Sequence, residues 1–290
     1  MILEALRRRV EEAPCDVVLA SGGADSTAVA LAHRMLGLKP LLINVQYLEN
    51  PGDDLHYVVP VAKRLGLPLL VRFVPKEEAL KAVREAVRLL RVFNPMEVVN
   101  CAAVYVALRE AKLRGAKRAC TGDGGDELCV GYGYMLKMPL EELKDYMRRL
   151  PQMWSFCAFK IGEALGLDVV APFLQNVELL LSIPAEEKVK CGMGKCLLRA
   201  ELAETLGPEV AWRKKSPVER GSGFDALYDV LAEMGKSVKV DIPAEGAARY
   251  LYHIFKQLGY TYRRAAENPC PVCGSELRGG YCPMCGWYRR

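Results

Sequence analysis

The chain has 290 residues, of which 51% are hydrophobic and 26% charged, with a formal net charge of +5. That length can bury a large core, and the balance of apolar and charged residues excludes a disordered or low-complexity chain. No apolar stretch approaches the ~18 residues of a membrane span, the amphipathic N-terminus lacks the order of a signal peptide, and a cytoplasmic protein without membrane partners is expected. The mild positive excess suits contact with a nucleotide or RNA and requires neither.

Taken in order, residues 1–13 read as a helix and 16–20 as a buried strand. A helix over 25–36 ends at Gly37, a strand follows at 40–46, and a helix over 54–65 stops at Gly66. Residues 68–74 form a third strand. Residues 76–91 place Ala79, Leu80, Val83, Val87 and Leu90 at helical period. Asn94-Pro95 breaks that helix, another runs over 97–113, and a short strand occupies 117–120. Strands alternating with helices predict a parallel sheet covered on both faces.

The second half is mostly helical. Residues 139–165 read as helix, with Tyr146, Met147, Met153, Trp154, Phe156 and Phe159 as core packing. Residues 169–174 are extended, helices follow over 177–181 and 195–206, a basic glycine-containing loop covers 209–224, and two more helices cover 225–234 and 245–258. After residue 266 the composition turns to Cys, Gly and Pro, which predicts one large domain over 1–266 and a small module over 267–290.

The first strand runs into Ser21-Gly22-Gly23-Ala24-Asp25-Ser26-Thr27 and then directly into a helix. Such a junction offers free backbone N–H groups and the positive end of a helix dipole to an anion. Gly22 and Gly23 permit close approach, and Ser21, Ser26 and Thr27 add hydroxyls. Asp25 would repel a phosphate unless a cation stood between them, so it implies Mg²⁺. The spacing matches neither the Walker pattern nor the dinucleotide fingerprint. It resembles the pyrophosphate loop of the ATP pyrophosphatases, which cleave ATP between its α- and β-phosphates. The alternative is an ordinary capped helix start, with Asp25 or Ser26 as the cap.

A second cluster, Thr121-Gly-Asp-Gly-Gly-Asp-Glu127, follows the fourth strand. Ligands of such sheets sit beyond the carboxyl ends of the strands, so both loops are expected at one edge. Asp25 and Asp126 would then form a Mg²⁺ site completed by triphosphate oxygens.

With both loops, the chain resembles the synthetase domain of asparagine synthetases. The likeness continues through Val170-Ala-Pro-Phe-Leu174, Ser182-Ile-Pro184, Lys195-Cys-Leu-Leu-Arg199 and Ala211-Trp-Arg-Lys-Lys215 with Gly221-Ser-Gly223. The resemblance implies an adenine nucleotide alpha hydrolase-like α/β fold and an ATP-dependent, AMP-forming carbon–nitrogen ligase. It implies that a small carboxylate is adenylated and then attacked by ammonia. Ser21, Gly22, Gly23, Ser26 and Gly122 would line the nucleotide site, and Asp25 and Asp126 would hold Mg²⁺. Asp123 would stand for a glutamate that handles substrate, Lys215 would be the active-site lysine, and Arg213 its neighbour. No glutaminase region precedes these motifs, so ammonia is expected from elsewhere, for example a separate donor subunit. Gln175 stands where the family usually carries Asp, which leaves the acid unassigned.

Cys270, Cys273, Cys282 and Cys285 form C-x2-C-x8-C-x2-C with glycine after each pair. Four thiolates at this spacing predict a structural Zn²⁺ ribbon. Tyr260, Tyr262, Arg263, Arg264, Arg278, Tyr281, Trp287, Tyr288, Arg289 and Arg290 surround it. Such a set suits RNA or a stabilising clip equally. The ribbon resembles those of tRNA-thiolating relatives, so the second reading is a tRNA-modifying enzyme that adenylates a base. The remaining seven cysteines, Cys15, Cys101, Cys120, Cys129, Cys157, Cys191 and Cys196, read as buried thiols, with disulfides or a cluster site as alternatives.

Overall fold

The computed structural model describes every residue except Met153, Lys215, Ala266 and Arg290. In chain order the elements are α1 (Ile2–Glu12), β1 (Val17–Leu19), α2 (Ala24–Met35), β2 (Leu41–Tyr47), α3 (Asp54–Leu65), β3 (Leu69–Val74), α4 (Lys76–Leu90) and α5 (Pro95–Leu113). Then come β4 (Arg118–Cys120), α6 (Gly125–Leu128), α7 (Leu140–Arg149), α8 (Cys157–Leu165), β5 (Asp168–Val170), α9 (Val177–Ser182), α10 (Ala185–Val189) and α11 (Cys196–Leu206). Short helices α12 (Pro208–Ala211) and α13 (Val218–Gly221) precede α14 (Leu227–Lys236) and α15 (Gly246–Gln257). Among the described residues, no helix is long and apolar enough to cross a membrane.

The chain forms two compact units. The first contains Met1–Asn44, Asp53–Arg72 and Ala107–Pro217, and the second Val45–Gly52, Phe73–Val106 and Val218–Arg290. The sheet has five strands in the order β3-β2-β1-β4-β5. Within the first unit, Val17, Val18 and Leu19 of β1 lie opposite Leu41, Leu42 and Ile43 of β2, and Val17 and Val18 lie opposite Ala119 and Cys120 of β4, all parallel. The chain builds outward from β1 on one side, then returns to add β4 on the other. The order therefore reverses between β1 and β4, which is where ligands of open parallel sheets bind.

The core of the first unit is made where α1, α2, α3 and α11 bring apolar faces together. Leu6, Val10, Val18, Ala28, Val29, Leu42, Val58, Leu198 and Leu202 are fully or almost fully buried there. A smaller cluster gathers Val130, Met135, Leu143, Met147, Leu150 and Ala185, with Tyr146 and Trp154 against it. This places much of the expected aromatic and Met stripe in packing, although Phe159 is exposed and Met153 lies outside the described residues. The single helix expected over 139–165 is instead α7 and α8, separated by a 3₁₀ turn at Leu150–Gln152. Pro151 supplies no N–H and ends the helix there.

In the second unit α15 packs against both α14 and α4. Phe93 sits edge-on to Tyr252 and Phe255, with ring centroids at 4.9 and 5.4 Å. The boundary expected near residue 266 falls inside this unit.

The free-thiol reading of the cysteines is corrected in part. Cys15 and Cys120 form a disulfide, as do Cys191 and Cys196; the Cα atoms are 5.7 and 5.8 Å apart, within bridging range. Cys101 and Cys157 also carry disulfide-bonded sulfurs, whereas Cys129 is a buried free thiol.

Candidate active site and metal centre

The loop after β1 is held by its own hydroxyls. The Ser26 hydroxyl donates to the Gly23 carbonyl at 3.3 Å and accepts the Ser21 N–H at 3.2 Å. Ser21 Oγ accepts the Gly23 N–H at 3.2 Å. Gly22 has φ +70, and a Cβ there would lie 2.5 Å from the Val58 nitrogen, so only glycine lets this loop lie on α3. No side chain caps α2, neither Asp25 nor Ser26. The first-turn N–H groups of α2 are therefore left without a side-chain cap and could receive an anion.

The loop after β4 meets the first loop through missing side chains. A Cβ on Gly125 would sit 2.4 Å from Asp25 Oδ1, and one on Gly122 would sit 2.8 Å from Asp25 Cβ. The Thr121 hydroxyl donates to Asp123 Oδ2 at 2.9 Å, and the Tyr132 hydroxyl donates to Glu127 Oε1 at 2.6 Å. Asp25 and Asp126 converge as expected. The Lys195 ammonium forms an ion pair with Asp25 and lies 2.7 Å from Asp126 Oδ1.

Electrostatics follow from this crowding. Burial pushes Asp123 from 3.8 up to about 6; the Thr121 hydrogen bond opposes the rise, and the charges of Glu127, Asp25 and Asp126 add to it. Burial also raises Glu127, against the Tyr132 hydrogen bond. Burial disfavours the Lys195 ammonium, but the two aspartates outweigh it and its pKa is raised. Two carboxylates that hold a buried ammonium are a donor set matched to a hard divalent cation. The Thr27 hydroxyl, buried close behind in α2, has no hydrogen-bond partner among the described residues.

Arg213 is buried and committed. Its Nη2 lies 2.5 Å from Asp54 Oδ1, its Nη1 donates to the Ser21 carbonyl at 2.5 Å, and its guanidinium covers the Tyr57 ring at 4.0 Å. Arg199 donates to the carbonyls of Ala211 and Arg213 at 2.5 and 2.8 Å. The expected catalytic neighbour thus braces the loop after β1. Lys215, the expected active-site lysine, lies outside the described residues. Asp54, Tyr57 and the role of Lys195 escaped the sequence reading. Asp54 opens the helix expected over 54–65 with no further signal, and Lys195 stands only as part of a helix motif.

In the second unit, Cys270, Cys273, Cys282 and Cys285 are buried with their sulfurs mutually within 4.8 Å. Cys270 and Cys285 sulfurs are 3.6 Å apart, and those of Cys273 and Cys282 are 3.5 Å apart. A tetrahedron with Zn–S bonds of ~2.3 Å has edges of about 3.8 Å, so the four thiols fit that ion. The Gly274 N–H donates to the Cys270 carbonyl at 2.7 Å, and the Gly286 N–H to the Cys282 carbonyl at 2.8 Å. The module seats on the Phe93–Asn94 segment. The Phe93 N–H donates to the Met284 carbonyl at 2.9 Å, and the Asn94 amide bonds the Tyr281 hydroxyl. Tyr262 donates to the Cys273 carbonyl at 2.9 Å and Tyr260 to the Arg88 carbonyl at 3.0 Å. Three of the flanking tyrosines are therefore engaged within the unit, while Tyr288 is exposed.

A family model described as asparagine synthase matches residues 2–160 and 159–253. Asparagine synthetase B [glutamine-hydrolyzing] of Escherichia coli is 26% identical over 92% of this chain and 53% of its own length. Asparagine synthetase [glutamine-hydrolyzing] of Gallus gallus is 28% identical over 89% of this chain and 50% of its own. The chain spans about half the length of the curated relatives it matches. A solved structure described as a predicted subunit of tRNA methyltransferase from Methanocaldococcus jannaschii is similar over 67% of this chain and 89% of its own, at 18% identity and a TM-score of 0.34, too low to bear on function. The four-cysteine module lies beyond the family match.

Proposed function

The chain belongs to the asparagine synthase family, and from that premise we propose that it is an ATP-dependent, AMP-forming amide synthetase. The observation that carries the proposal is the meeting of Asp25 and Asp126, from the loops after β1 and β4, on one cation. In this reading Ser21, Gly22, Gly23, Ser26 and Gly122 receive the pyrophosphate part of ATP through backbone N–H groups and hydroxyls. Asp25 and Asp126 hold Mg²⁺, which when bound offsets charge on the phosphate oxygens.

A substrate carboxylate attacks the α-phosphorus and pyrophosphate leaves; ammonia then attacks the activated carbonyl and AMP leaves. Charge develops on bridging and leaving oxygens, so fixed cations supply most of the acceleration. We assign Lys215 to that task and Arg213 to bracing the Ser21 carbonyl. Asp123, pushed up to about 6, can accept a proton from the attacking nitrogen near neutral pH. The ammonia is proposed to come from outside this site. Cys129, the free thiol among the first unit's described residues, is pushed up to about 12 by burial and the Asp25 charge, against Lys195, and is no nucleophile for glutamine.

Residues 267–290 are proposed as a Zn²⁺-held module appended to this synthetase, clipped onto Phe93 and Asn94. The test is amide formation from ammonium and a panel of acids beginning with aspartate. An amide from at least one acid supports the reading. No amide from any acid, with ATP-dependent modification of tRNA instead, replaces it by the tRNA-modifying alternative.

A further inference from the structure

Lys195 reaches the two aspartates from an unusual backbone position. It is a non-glycine residue with φ 64, in the left-handed region, immediately before α11. Residues other than Gly, Asn and Asp seldom rest there unless the surroundings hold them. The surroundings are tight. The Lys195 N–H donates to the Cys129 carbonyl at 3.0 Å, and the Arg199 Nε donates to the Gly194 carbonyl at 3.0 Å. A Cβ on Gly194 would lie 2.2 Å from the Val130 carbonyl, and one on Gly131 would lie 2.4 Å from Lys195 Cε. The lysine side chain thus passes close over Gly131, while the bare Gly194 lets the loop backbone lie against Val130.

The Cys191–Cys196 disulfide closes the ends of the loop that presents this lysine. The Cys191 N–H also points to Cys196 Sγ at 3.0 Å. Cys191 is exposed, while Cys196 is buried at the start of α11. The two sulfurs serve none of the steps proposed above.

We propose that the Cys191–Cys196 disulfide is a positioning clamp that holds the Lys195 ammonium between Asp25 and Asp126, and that its reduction releases the lysine. The chemistry is two-electron thiol–disulfide exchange with a small dithiol. A reductant thiolate attacks the accessible Cys191 sulfur, the S–S bond breaks, and Cys196 leaves as a thiolate at a helix N-terminus, where the dipole favours it. The second thiol of the reductant then attacks the mixed disulfide, forming the oxidised reductant and freeing Cys191. Both protein sulfurs end as thiols after protonation. With the loop opened, the backbone of Lys195 relaxes and its ammonium no longer competes with a divalent cation for the two carboxylates. The cation part of this inference rests on the metal reading of Asp25 and Asp126; the clamp itself does not.

The experiment measures acylation of Lys195 by a water-soluble amine reagent, read by peptide mass spectrometry, in oxidised wild type and in the Cys191→Ser variant. That variant cannot form this bridge but keeps Cys15–Cys120. Thermal midpoints and acylation of surface lysines such as Lys236 are recorded alongside. The clamp predicts that Lys195 is acylated about tenfold faster in the variant, because local opening governs access, with Lys236 unchanged. Equal Lys195 rates overturn the clamp. If the variant does not fold, wild type is titrated with dithiol to the point where the exposed bridge is reduced and the buried Cys15–Cys120 bridge is intact; Lys195 protection must fall at that point, and persistence of protection overturns the clamp. Mn²⁺ binding followed by calorimetry is the second readout. Tighter Mn²⁺ binding in the opened form supports the competition, and unchanged Mn²⁺ affinity overturns it. Absence of Mn²⁺ binding in both forms contradicts the metal reading, and the clamp is then decided by Lys195 acylation.

Discussion

Asp54 and Arg213 form a buried ion pair at 2.5 Å, and the same guanidinium donates to the Ser21 carbonyl. One arginine thus ties the start of α3 to the loop after β1. Breaking a buried pair by removing one partner typically costs about 3–5 kcal/mol, because the other charge is left unpaired. Arg213→Met is expected to lower the unfolding free energy by that order and to weaken ATP binding, measured by denaturant titration and nucleotide calorimetry. Unchanged stability would show that the pair carries little, and unchanged ATP affinity would remove the bracing role.

Gly22→Ala tests the seat of the same loop. The added methyl would meet the Val58 nitrogen at 2.5 Å at φ +70. A loss of roughly 1–3 kcal/mol is expected from the clash and the left-handed backbone together. A variant with the wild-type Tm contradicts the close approach.

Asp123 gives a pH prediction. Its carboxyl is pushed from 3.8 to about 6, chiefly by burial. The folded protein then holds that proton more tightly than the unfolded chain. The stability contributed by this group is full below pH 3.8 and is lost as pH rises through about 6. Relative to Asp123→Asn, the wild type should lose up to about 3 kcal/mol across that window. Unfolding titrations of both proteins from pH 4 to 7 check it, and a constant difference contradicts it.

Much of the fold is legible in the sequence. The strands are short apolar runs bounded by glycine and proline, and β2 and β3 fall within a residue of the expected spans. The meeting of Asp25 and Asp126 is legible because each follows a strand of one parallel sheet, at the edge where such loops gather. Part of what the sequence does not show depends on distance along the chain, and part on local backbone conformation. Lys195 lies 170 residues from Asp25, and its approach depends on gaps at Gly131 and Gly194 that no local pattern signals. The pairing of Cys191 with Cys196 required a turn through a left-handed lysine. For Tyr262 and Tyr281 the sequence left RNA contact and a stabilising clip equally open, and their bonds to the Cys273 carbonyl and to Asn94 match the clip.

That module should hold one zinc per chain. Metal analysis of the purified protein checks the number, and Cys273→Ser should lose the metal and lower the Tm of the second unit. A module of this size has little core without its ion. Retention of zinc in Cys273→Ser would refute the four-thiolate site.

Lys215→Ala is expected to lower kcat while leaving the KM for ATP nearly unchanged, since a cation serving the transition state adds little to ground-state binding. A raised KM with an intact kcat would make Lys215 a binding residue.

The central claim is tested most directly by the bond broken in ATP. The protein is incubated with ATP, Mg²⁺, ammonium and the acid that yields an amide, and the nucleotide products are separated. The account predicts AMP and pyrophosphate in equal amounts, with none formed by Asp25→Asn. ADP and phosphate as the products would contradict it.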